Sequence, residues 1–168
     1  MNLCRLTAEL WMKPVCFKED MLKIRNLEAR DKEEVFKMMR VFYDSEAVLY
    51  TAPDEILYKD IDDCLSDLPF IEGYVFEEEG KLLGYAMAAK SYTTEYGGLL
   101  IFIEDLYIKE EYRGLGIGSS FFHFIEEKYK GLAVRYKLEV EEENQNAISV
   151  YKKRGYNKLG YFIMSKEV

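Results

Sequence analysis

Hydrophobic and polar positions change period several times along this chain. Leu22 to Asn26 alternates, which predicts a short strand. From Arg30 to Tyr43 the apolar residues Val35, Met38, Met39 and Phe42 recur at helical spacing, and Asp31 with the acids behind it suits the helix start. Pro53 then opens a second helix, over about Asp54 to Leu65, with Ile56, Ile61 and Leu65 as its apolar contacts. Gly73 to Glu77 and Lys81 to Ala89 read as a hairpin turning at Glu79-Gly80. Ser91 to Gly98 is polar and reads as a loop. Leu99 to Ile108 is apolar on both faces, the pattern of a central strand. Ser119 to Lys130 reads as a helix burying Phe121, Phe124 and Ile125. Leu132 to Val140 is a further strand, and Asn146 to Arg154 a short helix ended by Gly155. Tyr156 to Leu159 and Tyr161 to Ser165 read as closing strands. This order predicts an α/β fold on a mixed sheet.

Composition narrows the picture. The chain has 168 residues, enough for one domain with a real core, and 49% hydrophobic content excludes disorder. Met1 to Asp20 lacks the regular patterning of the rest of the chain. These residues are expected to be an extension, or Met21 the native start, with a single domain over 21–168. No segment has the form of a signal peptide or a membrane span. A net charge of −8 argues against nucleic acid as a general partner. It is compatible with a cationic substrate and equally with simple solubility. Cys4, Cys16 and Cys64 show no metal-binding spacing, so no metal site is expected and a reducing cytoplasm is the natural compartment. The one histidine, His123, lies inside a predicted helix, which leaves no His-based triad.

The candidate chemistry begins at Tyr112-Arg113-Gly114-Leu115-Gly116-Ile117-Gly118-Ser119, between the apolar strand and the next helix. A glycine turn at a helix start presents unpaired amides at the positive end of the helix dipole, a ready phosphate site. It is not a P-loop, which ends in Gly-Lys-Ser/Thr. It also lies too late in the chain, after a hairpin, for a dinucleotide fingerprint. A second motif lies further along: Asn144-x-x-Ala147-Ile148-x-x-Tyr151-x-x-x-Gly155-Tyr156. Glu104 and Asp105 stand inside the most apolar strand, where an unpaired carboxylate is costly. Glu104 could bind an ammonium and take its proton, and Asp105 reads as structural. The runs Glu77-Glu78-Glu79 and Glu141-Glu142-Glu143 read as solvated loop charge.

Together, Arg113-x-x-Gly116-x-Gly118 and the Asn144–Tyr156 motif resemble the GNAT superfamily of acyl-CoA-dependent N-acetyltransferases, over about Leu22 to Met164. The resemblance implies the GNAT fold, a mixed central sheet of about six or seven strands flanked by about four helices. It implies acetyl-CoA as acyl donor, with the backbone of Gly114, Leu115, Gly116, Ile117, Gly118 and Ser119 on the pyrophosphate and Arg113 adding charge. Leu106, Tyr107 and Ile108 would pair with pantetheine as a strand does, and Asn144 and Ala147 would lie along the cofactor. Tyr151 takes the general-acid position. A neutral tyrosine, with an ordinary pKa of about 10, can return a proton to the departing thiolate. A homodimer formed through C-terminal strands is a further implication.

Leu99-Leu100-Ile101-Phe102-Ile103-Glu104-Asp105-Leu106-Tyr107-Ile108 followed by Tyr112-Arg113-Gly114-Leu115-Gly116-Ile117-Gly118-Ser119 looks most like the diamine (spermidine/spermine-type) branch, and Tyr151-Lys152-Lys153-Arg154-Gly155 is close to it too. That likeness implies that Glu104 meets a polyamine, with Asp44 and Glu46 forming an acidic wall. The chain departs from the branch at Ala147, often serine there, and at Tyr156, often alanine. Three readings stand: an acetyltransferase for a small cationic amine, one for a protein N-terminus or lysine, and an acyl-CoA-binding domain without catalysis.

Overall fold

The structure, a computed structural model, describes residues 22–167. The expectations for residues 1–20 and for Met21 as a start fall outside the described residues. The elements are β1 (Lys23–Asn26), α1 (Lys32–Tyr43), α2 (Asp54–Leu65), β2 (Ile71–Glu78), β3 (Lys81–Thr93), β4 (Gly98–Ile108), α3 (Ile117–Lys128), β5 (Ala133–Leu138) and α4 (Gln145–Lys153). The strands form one sheet in the order β1-β2-β3-β4-β5. All neighbours are antiparallel except β4 and β5, which are parallel.

Strand alternation sends side chains to two cores. On one face Val35, Met38 and Met39 of α1 and Leu57 and Ile61 of α2 pack against Val75, Tyr85, Met87 and Tyr107. On the other, Phe121, Phe122 and Ile125 of α3 pack against Tyr74, Phe76, Ala86, Ile101 and Ile103. Helices on both faces make β2, β3 and β4 interior strands, which is why their apolar residues run almost unbroken. β1 is pinned by Arg25, which donates to Asp31 at 2.6 Å and to Glu77 at 2.8 Å.

Several expectations are corrected. The sheet has five strands among the described residues, not six or seven. Residues 156–167 form no strand: Phe162, Ile163 and Met164 are exposed and meet no pairing edge. The expected loop Ser91 to Gly98 shrinks to a turn over 94–97, because β3 runs on through Thr93 and β4 starts at Gly98. Pairing with β4 carries these polar residues as strand, although their side chains face water. α2 buries Leu57 and leaves Ile56 exposed. α3 starts two residues earlier than expected, because Gly116, at φ 87°, ends the turn and caps the helix. Of the first acidic run, Glu77 is a strand residue paired with Arg25, not solvated loop charge.

Candidate active site

β4 and β5 part company. Their pairing runs from Leu99 with Ala133 to Ile103 with Leu138 and then stops. β4 continues through Leu106, Tyr107 and Ile108, bonded on one side only, to Ala86, Tyr85 and Gly84 of β3. The other side of this backbone opens into a cleft of about 1030 Å³, whose far wall is α4. Interior strand backbone without a partner is rare, because each amide and carbonyl then depends on water or a ligand.

The glycine run forms the end of the cleft. Gly114 and Gly116 have φ of 77° and 87°, the left-handed region that a side chain disfavours. They turn the chain so that α3 begins at Ile117 with its first amides facing the cleft. The first helical bond is from the Ser120 amide to the Gly116 carbonyl at 2.9 Å, so the amides of Ile117, Gly118 and Ser119 have no partner within the helix. A β-carbon on Gly114 would meet nothing within 4 Å, so open space lies over the turn. Arg113 stands beside it. Its Nε donates to the Ile108 carbonyl at 3.0 Å, and its guanidinium lies 5.8 Å from the centre of the Tyr107 ring. One cation and three free amides at a helix start make an anion site. These features fit a pyrophosphate with an amide-bearing chain beyond it.

α4 supplies the opposite wall. The Asn144 side chain caps it, accepting from the Ala147 amide at 3.2 Å. One turn on, Tyr151 meets Phe122 edge to face at 5.6 Å. The Tyr151 hydroxyl has no hydrogen-bond partner among the described residues, and the ring lines the cleft. Burial raises its pKa, so it stays protonated at neutral pH.

Beyond the cleft, β4 carries a bulge. Asp105 pairs with Met87 and Ile103 with Ala88, which leaves Glu104 as the extra residue. Glu104 is exposed while Asp105 is buried. The Glu104 carboxyl is raised above its usual range by partial burial first, then by Asp105, Glu139 and Asp60. Asp105 is pushed up to about 6 by burial, against hydrogen bonds from Tyr85 and Tyr43 that hold it down.

Of the residues singled out from sequence, Leu106, Tyr107, Ile108, Arg113, Gly114, Gly116, Ile117, Gly118, Ser119, Asn144, Ala147 and Tyr151 come together around this one cleft, joined by Glu46. Leu115 instead packs against the α3-side core. Asp44 caps the end of α1 and accepts from Arg40 at 2.9 and 3.2 Å, so its charge is already answered. Glu104 stands outside the cleft lining. Sequence reasoning missed the wall formed by Val41, Phe42, Ser45, Ala47 and Leu49, and the position of Glu141 and Glu143 at the cleft. The apolar run Ala47-Val48-Leu49-Tyr50, inside a connection without helical or strand period, was the available signal. Among the described residues no group of acids, cysteines and histidine could hold a metal ion, and no helix is long and apolar enough to cross a membrane.

Comparison with known proteins agrees with this geometry. The chain is 36% identical over 80 residues to the thialysine N-epsilon-acetyltransferase of Sus scrofa, and this match covers 46% of each protein, so the chain spans about half the length of that relative. It is 30% identical over 140 residues to a Bacillus subtilis (strain 168) protein provisionally named ribosomal protein bS18-alanine N-acetyltransferase, covering 79% of this chain and 78% of that one. A possible acetyltransferase from Clostridium difficile 630 superposes with a TM-score of 0.75 at 22% identity, over 88% of this chain and 98% of that one. The aminoglycoside acetyltransferase AAC(6')-Iy, solved with a CoA-based bisubstrate analog, superposes with a TM-score of 0.71 at 16% identity, over 88% and 98%. At such identities the structural likeness speaks for the fold. Residues 23–156 match the Acetyltransferase (GNAT) family as a whole, and with the cleft, the glycine turn and the α4 motif in their places, the chain belongs to the GNAT family of acetyltransferases.

Proposed function

We propose that the protein transfers an acetyl group from acetyl-CoA directly to the primary amine of a small cationic acceptor, a polyamine or related diamine. The observation that carries this reading is the parting of β4 from β5 beside the Gly114–Ser119 turn, which offers a strand edge and an anion site in one continuous cleft. Leu106, Tyr107 and Ile108 would bond the amide-bearing arm of the donor, and the amides of Ile117, Gly118 and Ser119 with Arg113 would hold its phosphates. The acetyl thioester supplies the activated acyl group. Tyr151, protonated and without a hydrogen-bond partner among the described residues, would give its proton to the departing thiolate.

The surroundings of Glu104 are acidic. Asp105, Glu139 and Asp60 raise its carboxyl, Asp60 also raises Asp105, and no lysine or arginine figures among the groups shifting either. Such a field favours a cation and suits Glu104 to bind the ammonium and take its proton before attack. Glu46 on the α1–α2 connection adds a further carboxylate at the cleft, and Asp44, tied to Arg40, gives less. The names of the relatives point to different amines, that of thialysine, that of an alanine of a ribosomal protein and that of an aminoglycoside, so the acceptor is decided by assay. Purified protein with acetyl-CoA is screened against diamines, aminoglycosides, amino acids and peptides. Turnover of diamines is expected. Turnover of peptides alone would replace this reading with protein acetylation, and CoA binding without any turnover would leave a binding domain.

A homodimer belongs to the same reading. β5 is an edge strand with no fully buried residue among the described residues, α4 has none either, and Phe162, Ile163 and Met164 are exposed. A second copy would cover this end of the sheet. Light scattering of the purified protein decides it. We place the reaction in the cytoplasm, in keeping with three cysteines that lack a disulfide pattern.

A further inference from the structure

The Asp105 side chain is 4% exposed and has no cationic partner among the described residues. It is held by two phenols: Tyr43 donates to Oδ1 at 3.1 Å and Tyr85 to Oδ2 at 3.1 Å. A buried carboxylate held only by neutral donors is an expensive way to fill a core. An apolar residue there would cost the fold less, so the arrangement invites a functional account.

Its position suggests one. Tyr43 is the last residue of α1, and the chain beyond it forms the cleft wall from Ser45 to Leu49. Phe42, just before, lines the same cleft and meets Tyr43 edge to face at 5.4 Å and Tyr107 at 6.3 Å. The start of α1 is tied separately to the end of β4, through Glu34 and Lys109 at 2.6 Å. The Tyr43–Asp105 bond joins the other end of α1 to the bulge that carries Glu104. We propose that Asp105 is a positioning residue: its carboxylate latches the C-terminal end of α1, and with it the cleft wall over 42–49, against the bulged part of β4. The latch is firm while Asp105 is ionised and loosens when it is protonated.

The groups facing Asp105 give the direction of its pH response. Tyr43 comes from α1, Tyr85 from β3, Asp60 and the Cys64 thiol from α2, and Glu104 is its neighbour on β4. Burial and the Asp60 charge favour the neutral acid, while the two phenols favour the carboxylate. Removing either phenol therefore raises the pH at which Asp105 takes up its proton. Only removal of the Tyr43 hydroxyl also cuts the tie to α1.

The test needs no acceptor, so it is separate from the acetyl-transfer reading on which the role of the cleft rests. The Asp105 carboxyl carbon is titrated by NMR, and hydrogen exchange over residues 44–52, read at the hydrogen-bonded amides of Asp44, Ser45 and Ala47, is followed with pH after correction for intrinsic rates. In the wild type, exchange over 44–52 is expected to quicken about tenfold as pH falls through the Asp105 titration, with α3 unchanged. Asp105→Asn is expected to exchange fast with no step. Tyr43→Phe should exchange fast at pH 8, whereas Tyr85→Phe should stay protected at pH 8 and shift its step upward. Equal protection over 44–52 at pH 8 in wild type and Tyr43→Phe would overturn the proposal, as would exchange indifferent to Asp105 titration. Should Asp105→Asn fail to fold, the contrast between Tyr43→Phe and Tyr85→Phe decides alone. A protein that shows the step but transfers no acetyl group keeps the latch and loses the acetyl-transfer reading.

Discussion

A β-carbon on Gly84 would stand 2.3 Å from the Tyr107 carbonyl oxygen, and 3.1 Å from the Ile108 α-carbon. β3 and β4 approach this closely where β4 has lost its other neighbour. Gly84→Ala must push β4 toward the cleft or strain β3. A stability loss of about 1–3 kcal/mol is expected by thermal denaturation, together with a raised KM for acetyl-CoA. An unchanged KM in a folded variant would mean that the free edge of β4 does not serve the donor.

Tyr151→Phe removes a hydroxyl that has no hydrogen bond among the described residues and keeps the ring that packs on Phe122. Stability should hardly move. A fall in kcat of about 10²–10⁴-fold is expected, the range for loss of a general acid, with CoA affinity by calorimetry intact. A variant as fast as wild type removes Tyr151 from the chemistry.

Arg113→Leu takes the cation from the glycine turn and leaves the amides of α3 in place. CoA binding is expected to weaken about tenfold, roughly 1.4 kcal/mol. The effect should shrink at high salt, as an exposed charge demands. Salt-independent weakening would point to packing on Tyr107 instead.

Away from the cleft, Glu72 joins β2, β3 and α3 by accepting from Tyr129 at 2.6 Å, Lys90 at 2.9 Å and Lys128 at 3.0 Å. Burial would raise its pKa, but these bonds and that from Tyr74 bring it down to about 2. A depressed carboxylate stabilises the fold fully above its unfolded pKa, and this contribution drains away as pH falls to the folded value. Glu72→Gln should thus cost about 2–3 kcal/mol at neutral pH. The gap between the two proteins should narrow below about pH 4.5 and close near pH 2. Urea unfolding at several pH values measures it.

Legibility in the sequence tracked locality. α2 reads off the chain because Pro53 fixes its start and its apolar spacing stays regular. β4 reads because both its faces are buried. The glycine turn and the Asn144 cap are short-range devices, visible as residue types at fixed offsets. The Asp105 latch is different: its partners lie 62 and 20 residues away, and two ordinary tyrosines announce nothing. The cleft wall after α1 is irregular, so no period marks it. The expected closing strands show the opposite error. Tyr161 to Met164 has strand-forming residues, yet it pairs with no strand of the sheet and stays exposed, and β-propensity describes a fit to packed neighbours.

The gap between β4 and β5 has a consequence for selectivity by thickness. The sheet's outer edges, on β1 and β5, pair with no further strand among the described residues. The free edge of β4 lies inside the sheet, walled by α4 and by the connection after α1. A peptide entering it would bring side chains on alternate sides, toward the helices above and below the strand plane. A thin chain that carries amides but no branches at them can lie there. The parting thus offers strand backbone to a slender guest between two walls rather than at an open rim of the sheet.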